Sequence, residues 1–230
     1  MTTAHDLLVA VIDTRSGTSV EQGDLSLALA GAELIDLIDA GAADLDGDRV
    51  VPGTERTEGA AAESVVDDPL LRQAASSLVR QEPHEPVEDW LWRRGRDLGA
   101  AYLAELETTG SAAARWRARK PTLSIDPAAL ADSPARRHAN DRWAAHEPVL
   151  TALAAAAGVD ARYDGDPGDS DPGDSDPGDG SEGRDDLTEL GDDRVVTVLA
   201  AVNEAVVELA GVRQRRAVET AAFDNIWRAV

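Results

Sequence analysis

Residues 25–41 read LSLALAGAELIDLIDAG, and this stretch constrains the fold more than any other part of the chain. Its larger apolar residues approach helical spacing, and they are Leu25, Leu29, Leu34, Leu37 and Ile38. Gly41 follows as a typical helix stop. Aromatic residues make up only 3% of the 230 residues, so Ala, Leu and Val must build the core. Because such small side chains favour closely packed helices, we predict a mostly α protein.

The rest of the chain predicts further helices and two short hairpins. Residues 4–12 are predicted to form a helix, although LLVAVI within them also suits a buried strand. Spacing and capping residues predict more helices within residues 67–81, 83–110 (with a kink near Gly95), 126–146, 147–161 and 192–230. Alternating patterns predict β-hairpins at residues 43–51 and 115–126. The expected fold is a compact multi-helix domain with two small β-hairpins.

An acidic tract interrupts this helical pattern. Residues 166–180 repeat the unit Asp-Pro-Gly-Asp-Ser, and residues 164–193 hold 13 acidic residues and one Arg. Pro and Gly in every unit prevent regular structure, and the like charges repel each other. The spacing lacks the ligands of an EF-hand or of a nonapeptide calcium roll, which leaves weak calcium binding as the minor alternative. We predict one domain over residues 1–230 with a disordered acidic insertion at residues 164–193.

The charge of the chain excludes nucleic acid as a partner. The net charge is −22, and removing the −12 of the acidic tract leaves −10 on the other residues. Such a chain is repelled by nucleic acid as a whole. A winged-helix DNA reader would also need a basic recognition helix, whereas GAELIDLIDAG carries three carboxylates and no Arg or Lys.

The sequence holds no recognisable catalytic or metal-binding motif. Cys is absent, which excludes a thiolate zinc site. No Ser-His-Asp order, nucleophile elbow or phosphate-binding glycine loop stands out. The spacing of the four histidines does not match a metal-binding motif; these are His5, His84, His138 and His146. We therefore predict that the protein is not an enzyme and needs neither a metal nor a cofactor.

The opening residues and the length of the apolar runs predict a cytoplasmic protein. The N-terminal MTTAHD lacks the basic n-region of a signal peptide. We find no apolar run that reaches the roughly 18 residues needed to span a bilayer. Three tryptophans are expected in the core, namely Trp90, Trp143 and Trp227.

Several stretches, taken in order, resemble the Golgi phosphoprotein 3 family, in particular its bacterial, actinobacterial-type members. They are AHDLLVAVIDTRSGT, LSLALAGAELIDLIDAGAADLDGDRVV, DDPLLRQAASSL, EPVEDWLW and LAELETTGSA, with FDNIWRAV near the end. The resemblance implies a compact helical fold. It also implies a peripheral membrane adaptor that binds phosphatidylinositol 4-phosphate in a shallow basic pocket, on the inner face of the membrane. The alternative is a soluble scaffold of the same fold that has lost lipid binding and binds a protein partner.

The resemblance also points to the residues of a headgroup pocket. It places the family's pocket Trp near Glu21 and an Arg of its second helix near Ala30. Two Arg of its middle helix fall near Arg96 and Gly99, so Arg96 alone matches the family's residue. The implied pocket is therefore degenerate.

Two further sets of residues complete the candidate membrane-binding surface. Arg93 and Arg94 lie beside Arg96 and join it as candidates for binding an anionic or phosphoinositide headgroup. The second predicted hairpin carries a tryptophan flanked by cations, which is the composition of a typical membrane-interface anchor. These candidate membrane-contact residues are Trp116, Arg117, Arg119 and Lys120.

Overall fold

The computed structural model describes residues 2–13, 20–53, 68–108, 122–123, 134–159 and 192–228, without the side chains of residues 107–108, 122–123 and 221–228. Helices dominate this part of the chain. They are α1 (Thr3–Asp13), α2 (Gln22–Asp39), α3 (Pro69–Ser76), α4 (Val87–Arg94), α5 (Leu98–Thr108), α6 (Pro134–Ala144), α7 (Pro148–Ala156) and α8 (Asp193–Arg228). The prediction of a mostly α domain with small β-hairpins is confirmed.

Side chains and glycines set the helix ends, as the sequence indicates. The Asp68 carboxylate caps α3 by accepting hydrogen bonds from two backbone N–H groups, and Pro69 opens that helix. Glu147 caps α7 in the same way. After α2, Gly41 adopts a φ of +66°, which favours glycine and turns the chain away from the helix axis.

Helix α2 forms the centre of the molecule. It packs against α1, α3, α4, α5, α7 and α8 and is buried along almost its whole length. Its small residues allow this crowding: a Cβ atom on Gly31 would collide with a methyl group of Val202 in α8. Trp90 and Tyr102 are the largest fully buried side chains among the described residues, and Leu, Val and Ala fill most of the remaining core.

Two small antiparallel sheets complete the fold. The first predicted hairpin is present, with β2 (Ala43–Asp46) pairing with β3 (Arg49–Pro52) around Gly47 at a φ of +61°. Strand β4 (Glu85–Pro86) adds a third strand to it. Strand β1 (Val20–Glu21) pairs with β5 (Thr122–Leu123). These two residues of β5 are all that the structure describes of the segment predicted as the second hairpin, residues 115–126.

Three details refine the sequence predictions. LLVAVI lies within α1 and not in a strand. The predicted kink at Gly95 is a break between α4 and α5, where Asp97 has a φ of +59°. Trp90 lies in the core, as predicted, whereas Trp143 is only partly buried and packs against the core.

Helix α8 departs from the expectation about membrane spans. Its segment from Asp193 to Thr220 is long and apolar enough to cross a bilayer, with a mean hydropathy of 1.8 in its best window. Only 28% of that window is buried within the protein. The expectation that no segment reaches this length and composition was wrong.

Candidate functional site

The last turn of α4 and the residue pair after it hold the three arginines singled out by the sequence. The inner side of α4 is buried, at Val87, Trp90 and Leu91. Arg93 and Arg94 lie in the last turn, where cations interact favourably with the helix macrodipole. The chain passes so close to α2 at Gly95 that a Cβ atom there would lie 3.2 Å from the Ser26 carbonyl oxygen. The three neighbouring arginines consequently face different surroundings.

Arg93 forms a surface ion pair. Its Nε and Nη2 donate to the two carboxylate oxygens of Glu85, each at 2.6 Å, and Nη2 also donates to the Ser77 carbonyl oxygen at 3.3 Å. The guanidinium lies 5.0 Å from the centre of the Trp90 ring. The hydrogen bond to Glu85 raises the pKa of Arg93. Since the Arg93 side chain is 41% exposed, it can meet an anion, but in competition with Glu85.

The Arg94 side chain points into the protein, where its guanidinium hydrogen-bonds to other residues of the chain. Its Nε and Nη2 donate to both oxygens of the buried Glu33 carboxylate, at 2.6 and 2.8 Å. It also donates to the Leu70 carbonyl oxygen and the Gln73 side chain. The Tyr102 hydroxyl donates to Glu33 at 3.0 Å. Burial raises the pKa of Glu33, although the hydrogen bonds from Arg94 and Tyr102 act to lower it.

Arg96 is the candidate that faces open space. Its side chain is exposed, and within the described part of the chain its guanidinium makes no hydrogen bond or ion pair. It borders a cavity of about 720 Å³, here called the hairpin cavity, whose polar lining is Arg49, His84, Glu85, Asp89, Arg93 and Arg96. It also borders a second cavity of about 390 Å³, the helix cavity, lined by Gln22, Ser26, Trp92, Arg96, Asp97 and Leu209 among others.

The two cavities differ in charge. Three arginines face two carboxylates in the hairpin cavity, whereas Arg96 meets the single carboxylate of Asp97 in the helix cavity. One hydrogen-bond donor of Arg49 is already used, because its Nη1 donates to the His84 carbonyl oxygen. An anion would therefore be attracted more strongly to the Arg96 end of the hairpin cavity than to the helix cavity.

A family model, Golgi phosphoprotein 3 (GPP34), matches residues 4–209, which is most of the chain. The chain belongs to the Golgi phosphoprotein 3 family. The family is named for a phosphoprotein and not for a catalytic activity. No match was found among curated proteins or among solved structures.

The structure shows the surroundings of the three other positions at which the sequence resemblance leads us to expect a headgroup pocket. Ala30 is fully buried inside α2. The Gly99 backbone packs against α2, since its N–H donates to the Ser26 hydroxyl at 3.0 Å and a Cβ atom would lie 3.1 Å from that oxygen. Glu21 lies at the start of α2, partly exposed. At Ala30 and Gly99 there is no room for an arginine without displacing neighbours.

Arg213 of α8 is a residue of this site that the sequence analysis missed. Its Nη1 donates to both carboxylate oxygens of Asp24, at 2.8 and 2.9 Å, and its Nε lies 3.9 Å from a Glu21 oxygen. It thus places a positive charge beside Asp24 and Glu21. Nothing local signals this pair, because 189 residues separate Arg213 from Asp24.

A partly buried cluster around His5 was also missed. The His5 Nδ1 lies 3.2 Å from an Asp68 oxygen, Nε2 lies 3.6 Å from a Glu105 oxygen, and the ring packs edge-on against Tyr102. Burial lowers the pKa of His5, but the hydrogen bond and charge of Asp68, with Glu105, outweigh it and the pKa is raised. The cluster joins the Glu33 network through Tyr102.

Several predicted features lie outside the described residues. They are the membrane-contact residues Trp116, Arg117, Arg119 and Lys120, the acidic tract at residues 164–191, and the side chain of Trp227. Among the described residues, no group of three or more His, Asp or Glu side chains is arranged to hold a metal ion.

Proposed function

We propose that the protein is a non-catalytic, peripheral membrane adaptor with a degenerate headgroup pocket. It contacts a phosphorylated or otherwise anionic lipid headgroup at the Arg96 end of the hairpin cavity. One observation carries the proposal: Arg96 is exposed and without a partner in the described residues, and it opens onto a cavity that Arg49 and Arg93 also line. Arginine forks bind phosphate oxygens at two points, which suits a headgroup phosphate.

The charges around the cavity make this contact weak and sensitive to salt. Glu85 and Asp89 lie in the same lining and compete for the arginines. The net charge of −22 also repels an anionic membrane at long range. Binding is therefore expected to need the local cations, and to fall as salt shortens their reach to about 10 Å at 0.1 M.

A second membrane contact is expected from the predicted hairpin at residues 115–126. Trp116 among Arg117, Arg119 and Lys120 has the composition of an interface anchor. Such an anchor would hold the cytoplasmic protein against the inner face of the membrane while the cavity meets the headgroup. Replacing Trp116 with Ala should then weaken vesicle binding without changing which headgroup is preferred.

Vesicle flotation tests the proposal. The full chain is mixed at low salt with vesicles of neutral lipid alone, with phosphatidylinositol 4-phosphate, or with phosphatidylglycerol. We expect co-flotation with the anionic vesicles, lost in Arg96→Glu and reduced several-fold in Arg96→Ala. Arg137→Ala is the matched control, because it removes one exposed arginine from α6, away from the cavity. Absence of co-flotation with every anionic vesicle at low salt contradicts the proposal.

A soluble scaffold is the second candidate function, favoured by the carboxylates at the site. Asp97 lines the helix cavity beside Arg96, and Glu21 occupies a family pocket position. The negative charge of these carboxylates would attract a basic protein partner. The same flotation series discriminates the two functions: stoichiometric binding that depends on Arg96 rejects the scaffold, whereas a protein that never floats supports it.

A further inference from the structure

The hairpin cavity holds charges of both signs, and they differ in whether the protein itself already pairs them. Arg93 is paired with Glu85 through two hydrogen bonds of 2.6 Å. Asp89 and Arg96 line the same cavity, and both residues are exposed. Within the described ranges of the chain, neither side chain forms a hydrogen bond or an ion pair. The cavity therefore presents a free carboxylate as well as a free guanidinium.

The balance of charge in the hairpin cavity indicates what kind of ligand would neutralise it. Three arginines and two carboxylates line the cavity. The pair of Arg93 with Glu85 cancels one charge of each sign. With histidine neutral, the remaining charges are the two cations Arg49 and Arg96 and the one carboxylate of Asp89. A ligand with two negative charges and one positive charge is complementary to these three side chains.

Trp92 adds an aromatic ring to the same lining. It is partly buried, and it borders both the hairpin cavity and the helix cavity. Trp92 follows Asp89 by three residues within α4, so the two side chains lie on the same side of that helix. An ammonium group is attracted to a carboxylate and also to the ring of a tryptophan. The cavity thus combines groups that suit a cation with the guanidinium of Arg96, which suits an anion.

We propose that the hairpin cavity binds a phosphorylated amine, meaning a molecule that carries a phosphate group and an ammonium group on one short chain. Arg96 and Arg49 bind the phosphate, and Asp89 and Trp92 bind the ammonium. The inference rests on the proposed function, because the phosphate occupies the anion site at Arg96. It adds a positive group to the ligand, and a purely anionic headgroup lacks that group.

Two kinds of molecule carry this chemistry. A free phosphate monoester such as phosphoethanolamine has a phosphate charge of about −1.5 to −2 at pH 7, together with one ammonium. The headgroup of phosphatidylethanolamine is a phosphate diester, which carries one negative charge beside its ammonium. The cavity volume of about 720 Å³ lies within the range of about 300–1,000 Å³ that is usual for small-molecule sites. The monoester matches the remaining charges of the cavity more completely than the diester does.

A purely anionic ligand is the competing occupant of the hairpin cavity. The arginines would attract it, but the free carboxylate of Asp89 in the same lining would repel it. A phosphorylated amine converts that repulsion into an attraction. The two ligands therefore respond in opposite ways when the Asp89 charge is removed: binding of the amine weakens, whereas binding of a plain anion is unchanged or strengthens.

Calorimetric titration of the full chain at low salt tests the inference with two soluble probes. Phosphoethanolamine is compared with ethyl phosphate, which has the same phosphate but no ammonium. The wild type should bind phosphoethanolamine about fivefold more tightly or better, since an exposed ion pair and a cation–π contact are added. Asp89→Asn should remove this preference without weakening ethyl phosphate binding. Arg96→Ala should weaken the binding of both probes.

Glu88→Gln is the matched control for Asp89→Asn. Both carboxylates lie in the first turn of α4, where negative charge stabilises a helix, but Glu88 does not line the cavity. The control should bind both probes as the wild type does, and circular dichroism melts confirm that each variant is folded. Equal affinity of the wild type for the two probes would overturn the inference. So would a preference that survives Asp89→Asn, or no binding of phosphoethanolamine at millimolar concentration.

Vesicle flotation then identifies the source of the ligand. Uncharged galactolipid vesicles are prepared with equal mole fractions of phosphatidylethanolamine or of phosphatidylglycerol, which lacks the ammonium. Flotation on phosphatidylethanolamine that is lost in Asp89→Asn assigns the lipid headgroup as the ligand. Preferential binding of phosphoethanolamine without such flotation assigns a soluble phosphorylated amine. Either result supports the inference.

The same measurements separate a failure of this inference from a failure of the proposed function. Flotation on anionic vesicles that depends on Arg96, without a preference for phosphoethanolamine over ethyl phosphate, rejects the inference and leaves the membrane adaptor standing. A preference for phosphoethanolamine in solution, without flotation on any vesicle, supports the inference and rejects the membrane role.

Discussion

The guanidinium of Arg94 binds both carboxylate oxygens of Glu33, at 2.6 and 2.8 Å, inside the domain. Two residues further along, Arg96 is exposed and lines two cavities. Arg94 lies in the last turn of α4, whereas Arg96 lies in the turn between α4 and α5, so the two side chains reach different surroundings although they are close in the sequence. One arginine therefore contributes to the stability of the fold while its neighbour remains open to a ligand.

Replacing Arg94 with Met should destabilise the protein severely. The Glu33 carboxylate would stay buried without its cation, and breaking such a pair costs about 3–5 kcal/mol. Urea denaturation followed by circular dichroism measures the change. Arg96→Met is the matched control and should alter the free energy of unfolding by less than about 0.5 kcal/mol. Equal effects of the two substitutions would contradict the assignment of a structural role to Arg94.

Stability should decrease as pH rises from about 4 to about 7. Burial raises the pKa of Asp36 to about 7, although its carboxylate accepts hydrogen bonds from the backbone N–H groups of Thr3 and Ala4. The folded protein then holds a proton that the unfolded chain releases near pH 3.8. Because the folded state binds more protons in this interval, the free energy of unfolding falls, by no more than about 4 kcal/mol for this partly exposed group.

Other groups act in the same direction, and one variant isolates Asp36. The raised pKa of His5 continues the decrease above pH 6.5, and the raised pKa of Glu33 adds to it at lower pH. Asp36→Asn keeps an oxygen that can accept from α1 but removes the titration. Thermal melts at half-unit pH steps should give a flatter profile for this variant between pH 4 and 7. Parallel profiles for variant and wild type would refute the role of Asp36.

Replacing Asp97 with Gly should strengthen anion binding without loss of stability. Asp97 has a φ of +59°, a conformation that glycine adopts at no steric cost, and its carboxylate lines the helix cavity next to Arg96. Removing this charge should increase co-flotation with anionic vesicles several-fold at low salt. Asp97→Asn separates charge from conformation, because Asn tolerates the same φ. If neither variant binds better, Asp97 does not oppose anions at this site.

Deleting residues 166–180 should leave the melting temperature within about 2 °C of the wild type. This prediction comes from the sequence, since the tract is outside the described residues. Repeated Pro, Gly and Asp cannot build a packed core and therefore contribute little to the free energy of unfolding. Differential scanning calorimetry of the wild type and the deletion variant measures the two melting temperatures. A drop of 8 °C or more would mean that the tract is part of the cooperative fold.

Local patterns predicted much of the architecture. The spacing of leucines, the Asp and Glu caps before Pro69 and Pro148, and Gly41 and Gly47 all act through neighbours within a few residues. Their structural consequences could therefore be read from the chain directly. The same holds for the choice of family, which rests on an ordered series of such stretches and agrees with the family model that matches residues 4–209.

The amino-acid sequence by itself determined the helical class, the first hairpin, the main helix ends and the presence of three neighbouring arginines. Only the tertiary structure decided which arginine is free, because that depends on Glu85 and Glu33, contributed by other elements. It likewise paired Arg213 with Asp24 and placed His5 between Asp68 and Glu105. Burial and long-range pairing set the charge and accessibility of a side chain, and neither is encoded in its near neighbours.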